Sequence, residues 1–242
     1  MYLKTAAIVL HRLPYGDRSS IISFYTAEKG RIDCMVYSTK GSKSGIKRAL
    51  LEPLSVVELE LELIHGRELH RIIEIKSKLT ITFLGSHPVK NVLAFFIAEC
   101  LYRIFKESQT DITLYDFIEQ SIITLNFKND GFANFHLVFL LQLTRFLGFY
   151  PNLNKSFPVA YFDMVNGIFV PTKPQHASFL NPDDSLIFQK LMRMNYSNMH
   201  LFGFSRHERV LILEQILHYY RIHIPTFGTI HSLGVFSELF DA

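Results

Sequence analysis

A chain of 242 residues with 48% hydrophobic content can bury one large core or two small ones, which excludes an intrinsically disordered protein. No apolar run approaches the roughly 18 residues of a membrane span, and Met1-Tyr2-Leu3-Lys4-Thr5 leads into a strand rather than a signal-peptide core, so a cytoplasmic protein without membrane contact is expected. The net charge of +3 is uneven: residues 1–80 hold thirteen Lys and Arg against nine Asp and Glu, residues 81–242 twelve against thirteen, so the positive field belongs to the first third.

In chain order, Thr5 to His11 reads as a strand closed by the turn cluster Pro14-Tyr15-Gly16-Asp17. Ser19 to Thr26 is a second strand, and Glu28-Lys29-Gly30 turns it into a third, Arg31 to Tyr37, whose residues alternate. A loop follows through Lys40, Lys43, Lys47 and Arg48, four cations without an acid. Such a loop calls for an anion such as a nucleic-acid backbone, or serves as a solvated tether. Leu54 to Ile64 and Leu69 to Ile75 complete five short strands in about 75 residues, the count and loop placement of an OB-fold barrel. Tyr15, Tyr25 and Tyr37 are candidate stacking platforms for bases, or else barrel core.

After Lys78 the hydrophobic period lengthens to that of a helix. Helices are expected over Val89–Phe105, with Pro88 near the start, over Leu114–Phe127, capped by Asp111 or Thr113, and over Phe132–Leu147, ended by Gly148. Pro151 to Pro182 breaks the pattern, and Asn166-Gly167 between apolar flanks predicts a β-hairpin within Ala160–Val170. Helices over Asp183–Met194, Ser205–His223 and Ser232–Phe240 close the chain. The expected architecture is α+β: an OB-fold domain over 1–79, then a helical domain over 80–242 with an irregular hairpin insert at about 151–182.

Chemistry-bearing motifs are sparse. Cys34 and Cys100 are too few for a disulfide framework or a four-cysteine zinc site, and their apolar settings suit small buried hydrophobes. His65 and His70 straddle a hairpin without a third zinc ligand, and His218 and His223 lie on different helix faces. Asp183-Asp184 at a helix start fits a cap and the helix dipole better than a metal. With no phosphate loop and no nucleophile motif, a non-enzyme without cofactor or metal is expected; a hydrolase assembled from distant residues is the alternative.

The run Ala7-Ile8-Val9-Leu10-His11-Arg12-Leu13-Pro14-Tyr15-Gly16-Asp17-Arg18-Ser19-Ser20-Ile21-Ile22, continued by Phe24 to Arg31, resembles the first barrel strands of the bacterial RecO recombination mediators. The basic loop, Leu51-Glu52-Pro53-Leu54, the stretch Phe146 to Leu153, and Tyr219 to Pro225 with Phe227-Gly228, Ser232-Leu233 and Val235 are similar to further landmarks of that family, in the same order. The resemblance implies DNA repair and recombination: binding of single- and double-stranded DNA, strand annealing, contact with RecR and with the C-terminal tail of single-stranded DNA-binding protein, indirect service to RecA, and a nucleoid-associated place in a bacterial cytoplasm. Many members carry a four-cysteine zinc knuckle after the position of Leu153; this chain has no cysteine there, so apolar packing of Tyr161, Phe162, Ile168 and Phe169 is expected to replace the metal.

The DNA contacts expected on this reading are Lys40, Lys43, Lys47 and Arg48, then Arg12, Arg18 and Arg31. Arg206, Arg209 and Arg221 are candidates for a basic rim that receives the acidic tail, or are surface side chains with buried stems. An RNA-binding OB-fold adaptor without annealing activity is the alternative.

Overall fold

A computed structural model describes residues 1–37, 48–83, 86–107, 110–153 and 160–234. They form two compact units: Met1–Phe127 joined by the chain from Thr229, and Lys128–Gly228. The first unit therefore extends beyond residue 79, because the two helices that follow the barrel pack with it.

The barrel consists of β1 (Tyr2–Tyr15), β2 (Ser19–Thr26), β3 (Gly30–Tyr37), β4 (Val56–Glu62) and β5 (Leu69–Ser77), closed in the order β1-β2-β3-β5-β4. β3 and β5 pair in parallel while every other neighbour is antiparallel, which is the OB-fold arrangement. Alternation decides what lies inside: Val57, Leu59 and Leu61 of β4 are buried with Ala7, Val9, Ile22, Phe24 and Cys34, while Glu58, Glu60 and Glu62 face outward. β1 is longer than its periodicity indicates. Pro14 lies within it, paired with Ser20, and tolerates this because β4 pairs with β1 only as far as Ile8, so no second partner needs the missing N–H. The turn is Gly16-Asp17-Arg18, with Gly16 at φ 67°.

Two long α-helices among the described residues belong to this unit. α1 (Pro88–Ile104) starts with Pro88 in the first turn and His87 Nδ1 accepting from Lys90 N–H. α2 (Ile112–Phe127) is capped by Asp111, whose Oδ1 accepts from the backbone N–H of Thr113 and Leu114 and from the Thr113 hydroxyl. Tyr25 fixes the barrel to these helices. It is fully buried, stacked on Phe105 at 4.2 Å and near Tyr115 at 6.3 Å, and burial pushes its hydroxyl up to about 12. It is thus core and not a platform for bases, a role dictated by rings some 80 residues later in the chain.

The second unit contains α3 (Phe135–Phe146), a small sheet in the order β7-β6-β8, α4 (Pro182–Met192) and α5 (Arg206–His223). Here β6 is Tyr161–Asp163, β7 Ile168–Val170 and β8 Phe179–Leu180; the last strand was not legible in the sequence. The hairpin turn spans four residues rather than two. Asp163 organises it: its Oδ1 accepts from the N–H of Val165 and of Asn166, and its Oδ2 from the Asn166 amide. Burial alone would raise the Asp163 carboxyl, but these bonds and His176 Nε2 at 3.1 Å outweigh it and hold it below the usual range. Asn181 caps α4 by accepting from Asp184 N–H, and Ser205 with Glu208 forms a reciprocal capping box on α5. The acids at the start of α4 thus belong to its cap.

Apolar packing does fill the hairpin region, through a different residue set. Phe162 is fully buried, 4.8 Å from Phe169 and from Phe188 and 5.6 Å from Tyr219. Tyr161 is half-buried against Phe179, and Ile168 is partly exposed, because the short hairpin turns only one face inward. No cysteine lies here, and His176 with Asp163 is one pair rather than a zinc ligand set, so the residues present do not fit a zinc knuckle. The helix expected over Ser232–Phe240 lies mostly outside the described residues.

Candidate nucleic-acid interface

The charged groups of the barrel are segregated. Along β4, Glu58, Glu60 and Glu62 stand in a row opposite Lys76, Lys4 and Arg71, with Lys4 to Glu60 at 3.3 Å and Lys76 to Glu74 at 2.9 Å. This wall is acidic and partly neutralised. The opposite character appears at the end formed by the β1–β2 turn, where Arg12, Arg18 and Arg48 line one depression of about 380 Å³ with Ser19, Ser20 and one acid, Asp17.

Each arginine arrives by a separate route. Arg12 is half-buried on β1, and its Nε donates to Ser20 Oγ at 3.3 Å, which aims the guanidinium. Arg18 is exposed in the turn, a position set by the positive φ of Gly16. Arg48 opens a 3-10 turn, Arg48–Leu51, with its side chain 82% exposed and Glu52 Oε1 3.8 Å from its Nε. An exposed pair at that distance contributes well under about 1 kcal/mol, so Glu52 holds the Arg48 guanidinium only weakly. Lys40, Lys43 and Lys47 lie outside the described residues; the chain segment that carries them leaves from Tyr37 and returns at Arg48.

Two of the three tyrosines mark the same end. Tyr15 and Tyr37 both stand opposite Ser19, one on each side, so they share a face two strand spacings apart, about 10 Å. They are 57% and 70% exposed, large rings with nothing to bury them. The Ser19 hydroxyl donates to the Tyr15 carbonyl and so fixes the strand between them.

Arg31 is placed otherwise. Its Nε and Nη2 donate to the Asp33 carboxylate at 3.2 and 3.0 Å, Nη2 also reaches Ser23, and its guanidinium lies 4.3 Å from the centre of the Tyr102 ring. With only 16% of the side chain exposed, it serves to join the barrel to α1 rather than to meet solvent anions. The sequence held a signal for this: Arg31 and Asp33 are two apart on a strand and must share a face.

In the second unit, Arg206 and Arg209 occupy the first turn of α5 and Arg221 its last. Fifteen residues of helix separate Arg206 from Arg221 by about 22 Å, so the three do not make one rim. Arg206 and Arg221 are exposed; Arg209 is half-buried and donates from Nη1 to the Phe204 carbonyl. Arg221 instead complements the C-terminal end of the helix dipole, with His223. Among the described residues no group of three or more His, Cys, Asp or Glu is placed to hold a metal ion, and no helix is long and apolar enough to cross a membrane.

A closed OB-type barrel with a basic end bearing aromatic residues, followed by a helical domain, places the chain among the OB-fold proteins with an appended α-helical part. The model for "Recombination protein O N terminal" matches residues 1–79, and that for "Recombination protein O C terminal" matches residues 86–228. Over the full length of both chains, it is 43% identical to the DNA repair protein RecO of Bacteroides fragilis, 37% to that of Porphyromonas gingivalis and 31% to that of Flavobacterium psychrophilum. The chain belongs to the RecO family.

Proposed function

We propose that this chain is a non-catalytic DNA-repair protein of the bacterial cytoplasm that holds single strands at the basic end of its barrel and promotes their annealing as a recombination mediator. The observation that carries the reading is the convergence of Arg12, Arg18 and Arg48 on one depression beside the exposed rings of Tyr15 and Tyr37. Guanidinium groups there bind phosphates without reading bases, and the rings offer a sequence-tolerant stack. Lys40, Lys43 and Lys47 extend the contact from the adjoining segment. The curated relatives bear the name DNA repair protein, which supports the setting. RecR, the tail of single-stranded DNA-binding protein, double-stranded DNA and, indirectly, RecA are the partners that the family resemblance adds. For the acidic tail, Arg206 and Arg209 at the start of α5 are the proposed contact, with Arg221 too distant to share it.

The test is annealing of complementary strands coated with single-stranded DNA-binding protein. The chain is expected to accelerate pairing, and reversal of the charge at Arg18 and Arg48 to abolish the acceleration. Annealing no faster than the uncatalysed rate, or binding of RNA in preference to DNA, contradicts the reading.

A further inference from the structure

A second groove adjoins the depression and shares Arg12 and Arg48 with it. Its volume is about 600 Å³, within the range of small-molecule pockets, and its lining is predominantly apolar with a few charged side chains. One wall is a strip of α1, Phe95, Glu99, Tyr102 and Arg103, whose spacing of four, seven and eight residues puts them on one helix face. Phe95 is 51% exposed there, although the residues on either side of it, Ala94 and Phe96, are fully buried. Tyr102 is already occupied, with the His11 ring tilted against it at 4.5 Å and the Arg31 guanidinium at 4.3 Å, so Phe95 is the open ring of the groove.

The polar groups are fixed in advance. Glu99 accepts from the backbone N–H of His231 and of Ser232, both at 2.8 Å, and from the Ser232 hydroxyl at 2.6 Å; its own charge is thus committed to the closing segment. Arg103 has a Nη2 3.7 Å from Glu99 Oε1, and its Nε is buried without a hydrogen-bond partner among the described residues. The facing wall, through Leu51, Glu52 and Pro53, ends in Leu54, which is buried in a left-handed backbone conformation at φ 63°, the one described non-glycine residue with positive φ. Its N–H donates to Val9 O at 2.8 Å, at the β1 bulge that begins the other wall. Backbone conformations of this kind concentrate at ligand sites.

On the reading that the basic end binds a DNA strand, we infer that this groove takes one unstacked nucleobase of that strand, stacked on Phe95, with the flanking phosphates on Arg12 and Arg48 and Arg103 donating to the edge of the base. The shared arginines make the path continuous, and the excess of cations over uncommitted acids favours an anionic chain over a neutral peptide.

The experiment compares two strands of equal length and charge, about 12 nucleotides, one of thymidines and one of abasic tetrahydrofuran sites, with the wild-type chain, Phe95→Ala and Phe95→Tyr. Phe95→Ala is expected to weaken the thymidine strand by about 5- to 100-fold and leave the abasic strand unchanged, while Phe95→Tyr retains both affinities. Because Phe95 is half exposed, circular dichroism should show the same fold in all three. Equal effects of Phe95→Ala on the two strands, or none on either, overturn the base-binding groove and leave the phosphate contacts standing. Failure of the wild-type chain to bind either strand overturns both readings together.

Discussion

Replacing Arg12, Arg18 and Arg48 together by Glu is expected to lower affinity for single-stranded DNA by at least about 100-fold at 0.1 M salt, and by the same factor for every sequence. Removing three phosphate-binding cations should also flatten the plot of log affinity against log salt by about two, since each phosphate neutralised on a single strand contributes about 0.7. The fold should survive. Arg18 stands exposed in the β1–β2 turn, Arg48 forms an exposed pair with Glu52, and Arg12 gives up one hydrogen bond to Ser20. Arg31→Glu makes the instructive contrast: it removes the pair with Asp33 and the cation over Tyr102, and should destabilise the first unit instead of acting through charge on DNA. An unchanged salt slope in the triple variant would remove this end of the barrel from the binding surface.

The second unit should weaken steadily as pH falls from 7 to 5, because of a single imidazole. His136 on α3 is fully buried, and burial, aided by the positive charge of Arg209, pushes its pKa down to about 3. In the unfolded chain the same group titrates near 6.5. The folded state therefore binds fewer protons below that value. The contribution is fully present above pH 6.5 and is lost as pH falls toward 3, approaching about 1.4 kcal/mol per pH unit. Between pH 7 and 5 the loss is about 2 kcal/mol. Denaturant unfolding of the wild-type chain and of His136→Gln at the two pH values isolates it: the wild-type chain should lose about 2 kcal/mol more than the variant. His11 and His70, also lowered chiefly by burial, add the same background to both, so equal losses would contradict the assignment.

What could be read in the sequence followed from local chemistry. Alternation in Val57 to Glu62 and the turn at Gly30 pointed to strands, and five short strands in about 75 residues, too few for two packed sheets, pointed to a small barrel. The absence of cysteine after Leu153 likewise ruled out a zinc knuckle before any fold was known. Arg18 and Arg48 could be singled out because turns and loop ends must be exposed. What failed depended on residues remote in sequence. The choice between platform and core for Tyr25 is decided by Phe105 and Tyr115, which cover it, and Arg31 is withdrawn from the DNA contacts by Asp33 and by Tyr102 beneath it. The turn cluster at Pro14 places the end of β1 too early, because the tolerance of Pro14 within the strand depends on where β4 stops pairing. The groove of Phe95, Glu99 and Arg103 was invisible for the same reason: α1 reads as a strongly apolar helix, and only its packing in the fold shows that Phe95 stays half exposed.

The most direct test of the central claim is photocrosslinking of single strands carrying 5-iodouracil, with the attachment sites mapped by mass spectrometry. A strand held at the basic end should attach to peptides that contain Tyr15 or Tyr37, and the attachment should disappear in the triple arginine variant. Attachment confined to the acidic β4 wall or to residues 128–228 would contradict the account.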